Sequence, residues 1–245
     1  MKNILSGIKA KQVLVAISIA VASTGNALAF SETEFKTAFK QLVATPYVSQ
    51  EQYAANAVSA WLNQDYINSL GQAEIDAARN ASEAAATSFN QLLKQEPGNP
   101  LLLSYAGAAT AKSSLAKIAK GEKTTALEDG TAMLEQALQL AGSNKDMHGS
   151  VPVALEVRFV AANTFLAVPT VMNRNQQGQQ LLKDVLNDQQ FAQASVNFRG
   201  AVWMRAASLA AEQHRNEEAR KYLNEVLKSN APQSATAAQL LQSLS

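Results

Sequence analysis

The stretch EEARKYLNEVL, residues 217–227, decides the fold. It ends in NEVL (224–227), and three similar strings end earlier: NQLL (90–93), EQAL (135–138) and KDVL (183–186). The terminal leucines of the four strings are separated by 45, 48 and 41 residues. Such internal similarity is typical of a helical solenoid, because each two-helix unit has an apolar face that only its neighbours can cover.

The rest of the chain favours helix as well. Apolar residues recur at three-to-four spacing, only 11 of the 245 residues are glycine, and β-branched residues rarely alternate with polar ones. We therefore predict an all-α protein. Caps, glycines and prolines bound the predicted helices. These lie at residues 31–46, 49–70, 73–94, 100–120, 124–141, 151–168, 176–186, 196–214, 216–228 and 234–244.

The sequences of two of these segments resemble the tetratricopeptide repeat family. The pattern EEAxxYLxxVL at 217–227 resembles the second helix of such a repeat, and FxxLL at 89–93, followed by Pro97 and a new helix at Pro100, is similar to a repeat junction. The resemblance covers roughly residues 80–245. It is degenerate, since the spacing exceeds the family's usual length of about 34 residues and the first-helix Trp-x-x-Leu-Gly-x-x-Tyr signature is missing. It implies a right-handed array of helical hairpins, a tetratricopeptide-like solenoid, whose concave face holds a peptide or another protein.

The N-terminus is typical of a bacterial signal peptide. A stretch with three lysines precedes the apolar run 12–23, and Ala27-Leu28-Ala29 forms a small-x-small cleavage site. The apolar run is about half of the roughly 20 residues that a bilayer-spanning helix needs. We expect cleavage before Phe30, a periplasmic protein with an extracellular location as the alternative, and no stable membrane insertion after cleavage.

Three segments are therefore predicted. Residues 1–29 are a signal peptide, residues 30–79 are an N-terminal helical segment packed on the array, and residues 80–245 are the helical repeat domain. Within that domain we expect Leu138 and Leu186 to be buried between repeats.

Composition excludes several functions. The formal charge is +1 and no basic cluster is present. A nucleic-acid-binding protein needs clustered lysine and arginine to displace counterions from phosphates, so nucleic acid is excluded as a partner. The chain has no cysteine, which excludes a disulfide framework, a thiolate nucleophile and a lipoprotein-type anchor.

No catalytic or metal-binding pattern is present in the sequence. The two histidines, His148 and His214, do not form an H-E-x-x-H motif, and both are expected to be solvated. No G-x-S-x-G motif occurs. The adjacent acidic pairs at 128–129 and 217–218 diverge by about 100° on a helix, so neither pair shares one site. We predict no catalysis, no cofactor and no metal.

The candidate binding residues come from aligning the first helices of the repeats. When the alanine pairs 108–109 and 161–162 are superposed, Tyr105 lies opposite Arg158, and Arg199 takes the same position in the next unit. Trp203 follows one turn later, and Arg205 lies beyond it. Arginine can form a forked pair with a carboxylate and tryptophan offers a large flat contact. The structural alternative is that these arginines lie at helix seams and pair with a nearby acid or carbonyl.

Two functions remain open at this stage. The first is a periplasmic scaffold or adaptor that binds a cell-envelope protein or peptide in the groove of the array. The second is a small-molecule-binding accessory protein, in which Tyr105, Arg158, Arg199 and Trp203 line a closed pocket for an anionic or aromatic ligand. An enzyme ranks third.

Overall fold

The computed structural model describes residues 30–43, 72–119 and 125–244. The predicted signal peptide and the predicted helix at 49–70 lie outside these residues. The described helices are α1 Glu32–Val43, α2 Gln72–Gln95, α3 Pro100–Ala119, α4 Ala126–Ala141, α5 Val153–Phe165, α6 Asn175–Asn187, α7 Val196–Glu212, α8 Asn216–Lys228 and α9 Ser234–Ser243. Short 3-10 helices cover Thr170–Met172 and Phe191–Gln193. The all-α prediction is confirmed, and most helix ends lie within a few residues of the predicted ones.

The chain divides into two compact units. The described part of the larger unit comprises residues 30–43, 72–119 and 125–193, and the C-terminal unit comprises residues 194–244. In the larger unit α1 packs on α2, α2 packs on α3, and α3 packs on α4 and α5. Helix α5 also packs on α4 and α6. In the C-terminal unit α8 packs on both α7 and α9.

One short β-hairpin interrupts the helices. Strand β1, Met147–His148, pairs antiparallel with β2, Val151–Pro152, and Gly149 in the turn has a φ of +61°. Sequence analysis predicts only an irregular break here, because a two-residue strand leaves no periodicity to detect. Three of the four strand residues, His148, Val151 and Pro152, are buried, and the pairing of the strands decides the environment of His148.

The same pattern of buried residues, which we call the buried stripe, occurs on each of four helices. In each of them a small residue, a large apolar residue and a further apolar residue are buried at spacing i, i+4, i+7, which lies on one helix face. The stripes are Ala85/Phe89/Leu92 on α2, Gly130/Leu134/Ala137 on α4, Gly178/Leu182/Val185 on α6 and Ala219/Leu223/Val226 on α8. The stripe falls at the same place relative to each of the four aligned leucines.

The predicted burial of Leu138 and Leu186 is wrong by one residue. Both leucines are only half-buried, whereas Ala137 and Val185 directly before them are fully buried. One residue corresponds to about 100° of rotation around a helix. The terminal leucine of each string therefore lies at the edge of the stripe, and the preceding residue lies at its centre.

The small residue of the stripe allows neighbouring helices to approach closely. A Cβ atom added to Gly130 on α4 would lie 2.6 Å from the backbone nitrogen of Ala111 on α3. A Cβ added to Gly178 on α6 would lie 2.9 Å from the backbone nitrogen of Leu166. Backbone atoms cannot move aside as a flexible side chain can, so a side chain at either position forces the helices apart.

Candidate functional site

The predicted binding residue Tyr105 belongs to the core of the larger unit. It is 5% exposed, and its ring lies 5.1 Å from that of Phe35 and 5.3 Å from that of Phe89, measured between centroids. Its hydroxyl donates to Glu156 Oε1 at 2.6 Å. The aromatic ring is thus packed on all sides and its polar atom is satisfied by a carboxylate of the protein.

Arg158 lies on the solvent-facing side of α5. The other residues of that helix are buried, apart from Ala154 and Asn163, which are half-buried like Arg158. Arg158 Nη1 donates to Asp188 Oδ2 at 2.9 Å, and both side chains are about one-quarter to one-third exposed (31% and 24%). This is the pairing that the structural alternative expects for a repeated arginine.

Arg199 and Trp203 lie on the exposed side of α7 in the C-terminal unit. Between residues 196 and 210 of this helix, Val196, Arg199 and Trp203 reach solvent and the other residues are buried. We call these three residues the α7 strip. Their spacing, i, i+3 and i+7, places them on one face. The Arg199 guanidinium carbon lies 5.8 Å from the centroid of the Trp203 ring, within the range of a cation–π contact.

Arg205 does not belong to the α7 strip. It lies six residues beyond Arg199, which corresponds to about 240° of rotation around the helix. The residue is 5% exposed, and its Nη1 lies 3.5 Å from Glu212 Oε1. Burial lowers the pKa of Arg205, and the neighbouring carboxylate of Glu212 opposes that shift. The structure places Arg205 at a buried seam, apart from the two residues that precede it in the predicted site.

The prediction that His148 is solvated is wrong, because this residue belongs to a buried polar cluster. His148 is 0% exposed, while the adjacent Met147 is 40% exposed, as the alternation of side chains along a strand requires. His148 Nδ1 lies 2.8 Å from Glu156 Oε2, and Nε2 lies 3.3 Å from Glu32 Oε2. With Tyr105, these three residues form what we call the His148 cluster. The sequence signal for it is a glutamate, Glu156, near the start of a mostly apolar helix. The second histidine, His214, is exposed as predicted.

The His148 cluster has a defined protonation pattern. Burial lowers the pKa of His148, but the charges and hydrogen bonds of Glu156, and then of Glu32, outweigh burial, and the pKa is raised above its usual value. Burial, followed by the charge of Glu156, raises the pKa of the Tyr105 hydroxyl well above its usual range. The phenol therefore remains a protonated donor to Glu156 at any physiological pH.

A buried lysine lies at the opposite end of α1. Lys112 on α3 is 8% exposed, and its Nζ donates to the backbone carbonyl of Leu42 at 2.5 Å. The last carbonyls of a helix have no partner within the helix, so this lysine caps the C-terminus of α1. Burial lowers the pKa of Lys112 to about 7. Helix α1 is thus held at its first turn by His148 and at its last turn by Lys112.

These clusters do not form a metal site, and no described helix could cross a membrane. Among residues 30–43, 72–119 and 125–244, no group of three or more acidic and histidine side chains is arranged to hold a metal ion. Each nitrogen of His148 faces a carboxylate instead of a shared centre. Within the same ranges no helix is both long and apolar enough to span a bilayer.

Comparison with known proteins adds no relative. No protein-family model, curated protein or solved structure matches the chain.

Proposed function

We propose that the protein is an exported adaptor without catalytic activity, which holds a protein or peptide of the cell envelope on the first helices of a tetratricopeptide-like array. The repeated stripe on α2, α4, α6 and α8 supports the repeat architecture, because the same small–large–apolar order recurs at the spacing of the aligned leucines. In such arrays the helix that precedes each striped helix supplies the binding face.

The observation that carries the proposal is the composition of the α7 strip. On a helix that is otherwise buried up to residue 210, the surface offers one aliphatic, one cationic and one aromatic side chain, in the order Val196, Arg199 and Trp203. Tryptophan and arginine are the residues most enriched at the energetic centres of protein interfaces. The guanidinium also stays in contact with the indole ring, which reduces the side-chain entropy that binding would cost.

This surface suits a particular kind of segment. The Arg199 guanidinium can form a forked pair with a carboxylate, while Trp203 and Val196 can cover an apolar side chain beside it. We therefore propose a partner segment that presents an acidic group next to an apolar residue.

The small-molecule alternative has less support. Two of its four pocket residues already donate to carboxylates of the protein, Tyr105 to Glu156 and Arg158 to Asp188. An anionic ligand would have to displace these carboxylates, which are held close by the fold. We therefore place the adaptor function first.

Export is the second part of the proposal. Phe30, the expected first residue of the mature chain, is buried, and its ring lies 5.5 Å from that of Phe35. The folded core therefore includes the residue that directly follows the proposed cleavage site. N-terminal sequencing of the protein from a periplasmic fraction should return Phe30 or a close neighbour, and full-length protein confined to the cytosol would contradict export.

The adaptor function is tested by purification from an envelope extract, with three baits compared by mass spectrometry. They are the wild-type chain, the double variant Arg199→Ala/Trp203→Ala, and a control that removes a cation and an aromatic ring from α8, Lys221→Ala/Tyr222→Ala. We expect a partner that is retained by the first and third baits and lost from the second. A partner retained by all three would place the binding surface elsewhere.

A further inference from the structure

The His148 cluster joins the N-terminal helix to the rest of the larger unit. Glu32 lies in the first turn of α1, Glu156 lies on α5, and the imidazole of His148 lies between them. We propose that the doubly protonated imidazole of His148 is a pH-controlled latch, which holds the first turn of α1 on the larger unit and opens when the ring loses the proton on Nε2. This inference is independent of the proposed adaptor function.

Hydrogen-bond donors and acceptors define the closed state. Both ring nitrogens of His148 face carboxylate oxygens, and an ionised carboxylate can only accept. Both nitrogens must therefore donate, and imidazole carries two N–H groups only when it is protonated. The remaining oxygen of Glu156 is occupied by the Tyr105 hydroxyl, which donates as well. The closed latch thus contains one imidazolium between two carboxylates.

The two carboxylates differ in a way that decides which contact breaks. Glu156 is buried and lies 2.8 Å from Nδ1, whereas the side chain of Glu32 is one-third exposed and lies 3.3 Å from Nε2. Leaving a buried carboxylate without a donor costs more than leaving one that water can reach. When the ring is neutral, the remaining proton therefore stays on Nδ1. The lone pair of Nε2 then faces Glu32, and the two repel.

Three described helices supply the groups that surround the imidazole of His148 and decide whether α1 stays docked. Helix α1 supplies Glu32, whose other oxygen lies 3.4 Å from Lys36 Nζ on the same helix. Helix α5 supplies Glu156 and α3 supplies Tyr105, while the rings of Phe30 and Phe35 cover the imidazole. Once Nε2 is deprotonated, water and Lys36 can solvate Glu32, but the aromatic cover prevents them from solvating His148. The first turn of α1 then separates.

The other end of α1 behaves differently. Lys112 Nζ donates to the carbonyl of Leu42, and a neutral amine still has N–H groups to donate. Loss of the proton from Lys112 therefore leaves this contact in place. Helix α1 should open at its first turn while its last turn stays attached.

The direction of the pH dependence follows from linkage. Burial lowers the pKa of His148, Glu156 raises it whether or not α1 is docked, and docking adds the charge and hydrogen bond of Glu32, which raise it further. The docked state therefore binds the proton more tightly than the undocked state. The contribution of the latch is complete below the pKa of His148 in the undocked state and disappears as pH rises through its pKa in the docked state. The docking constant falls about tenfold for every pH unit that separates the two pKa values.

The test uses two NMR measurements on one sample of the protein, which is expressed from the full-length sequence. Imidazole nitrogen shifts give the protonation state of His148, with the exposed His214 as an internal reference and a His148→Gln variant for assignment. Amide exchange at residues 35–39, corrected for the intrinsic base-catalysed rate, gives the opening of α1, with α8 amides as a reference. We expect His148 to carry both protons at pH 6 and to titrate above the usual value for histidine. Protection of α1, but not of α8, should fall with the same midpoint.

Two matched variants separate the latch from general pH effects. In Glu32→Gln the amide can donate to a neutral Nε2, so α1 should keep its protection as His148 titrates. Glu34→Gln removes an exposed glutamate from the same turn and should leave the wild-type pH dependence intact. Unchanged α1 protection through the titration of His148 in the wild type would overturn the proposal. So would a singly protonated His148 at pH 6, or equal pH dependence in Glu32→Gln and wild type.

Discussion

Gly130 on α4 faces Ala111 on α3 so closely that a methyl group at position 130 would lie 2.6 Å from the backbone nitrogen of residue 111. Gly130→Ala should therefore destabilise the larger unit. Overpacking typically costs about 1 to 3 kcal/mol, and the better helix propensity of alanine recovers up to about 1 kcal/mol of that loss. Urea unfolding measures the difference.

Gly142 provides the control at the end of the same helix. The nearest atom to an added Cβ there is 3.4 Å away, which is ordinary contact, and its φ of −59° suits alanine. Gly142→Ala should change stability by no more than about 0.5 kcal/mol. Equal effects of the two substitutions would mean that α3 and α4 are not in backbone contact.

The register of the buried stripe predicts which leucines matter for stability. Leu134 is fully buried and Leu138 is half-buried on the same helix. Leu134→Ala should cost about 2 to 5 kcal/mol, as is usual for leucines in a core, and Leu138→Ala should cost clearly less. The free energy of unfolding in urea provides the comparison. A larger cost at Leu138 would restore the register expected from sequence.

Two tyrosine hydroxyls allow a matched test of the His148 cluster. Tyr105 donates to the buried Glu156 at 2.6 Å, whereas the half-buried Tyr222 donates to Glu218 at 3.3 Å. Tyr105→Phe leaves a buried carboxylate short of one donor and should cost about 1 to 3 kcal/mol. Tyr222→Phe should cost less than about 0.5 kcal/mol. If the two variants unfold at the same urea concentration, Tyr105 has no structural role in the cluster.

The buried Lys112 should make the free energy of unfolding depend on pH with a sign opposite to that of the His148 contribution. Burial lowers the pKa of Lys112 to about 7, while an unfolded lysine titrates near 10.4. Between these values the unfolded chain binds more protons, so the contribution of Lys112 to stability grows as pH rises, at up to about 1.4 kcal/mol per pH unit. Lys112→Met should therefore gain most relative to wild type at pH 6.5 and lose more than half of that advantage by pH 9. A difference between variant and wild type that stays constant with pH would contradict a buried, depressed amine.

Local sequence patterns predict the helices but not the environment of single polar residues. The helix at Asn216–Lys228 is predicted at both ends, because caps and periodicity lie within the segment itself. The burial register is missed by one residue at Leu138, because an apolar string of adjacent residues does not show which of them points to the core, and one residue changes the direction by about 100°. His148 is missed because its burial depends on a two-residue strand pair and on two carboxylates brought to it by folding, that of Glu156 and that of Glu32, which is 116 residues away in sequence.

The candidate binding residues show the same limit. Arg158 and Arg199, which the alignment of the first helices pairs, both lie half-exposed on mostly buried helices. The alignment gives no sign that Tyr105, at the same position, lies in the core. A tyrosine can occupy either the buried or the exposed face of a helix, so its residue type does not reveal its burial. Their role in binding stays a prediction.

The most direct test of the adaptor function is the affinity of the Arg199→Ala/Trp203→Ala variant for the partner identified from the envelope, measured together with its melting temperature. Arg199 and Trp203 are half-exposed, and under the proposal their exposed parts contact the partner, so we expect binding to weaken more than tenfold, about 1.4 kcal/mol, while the melting temperature stays near that of wild type. The contrary result is a clear drop in melting temperature with full affinity in the folded fraction. It would show that Arg199 and Trp203 stabilise the fold and that the protein binds its partner elsewhere.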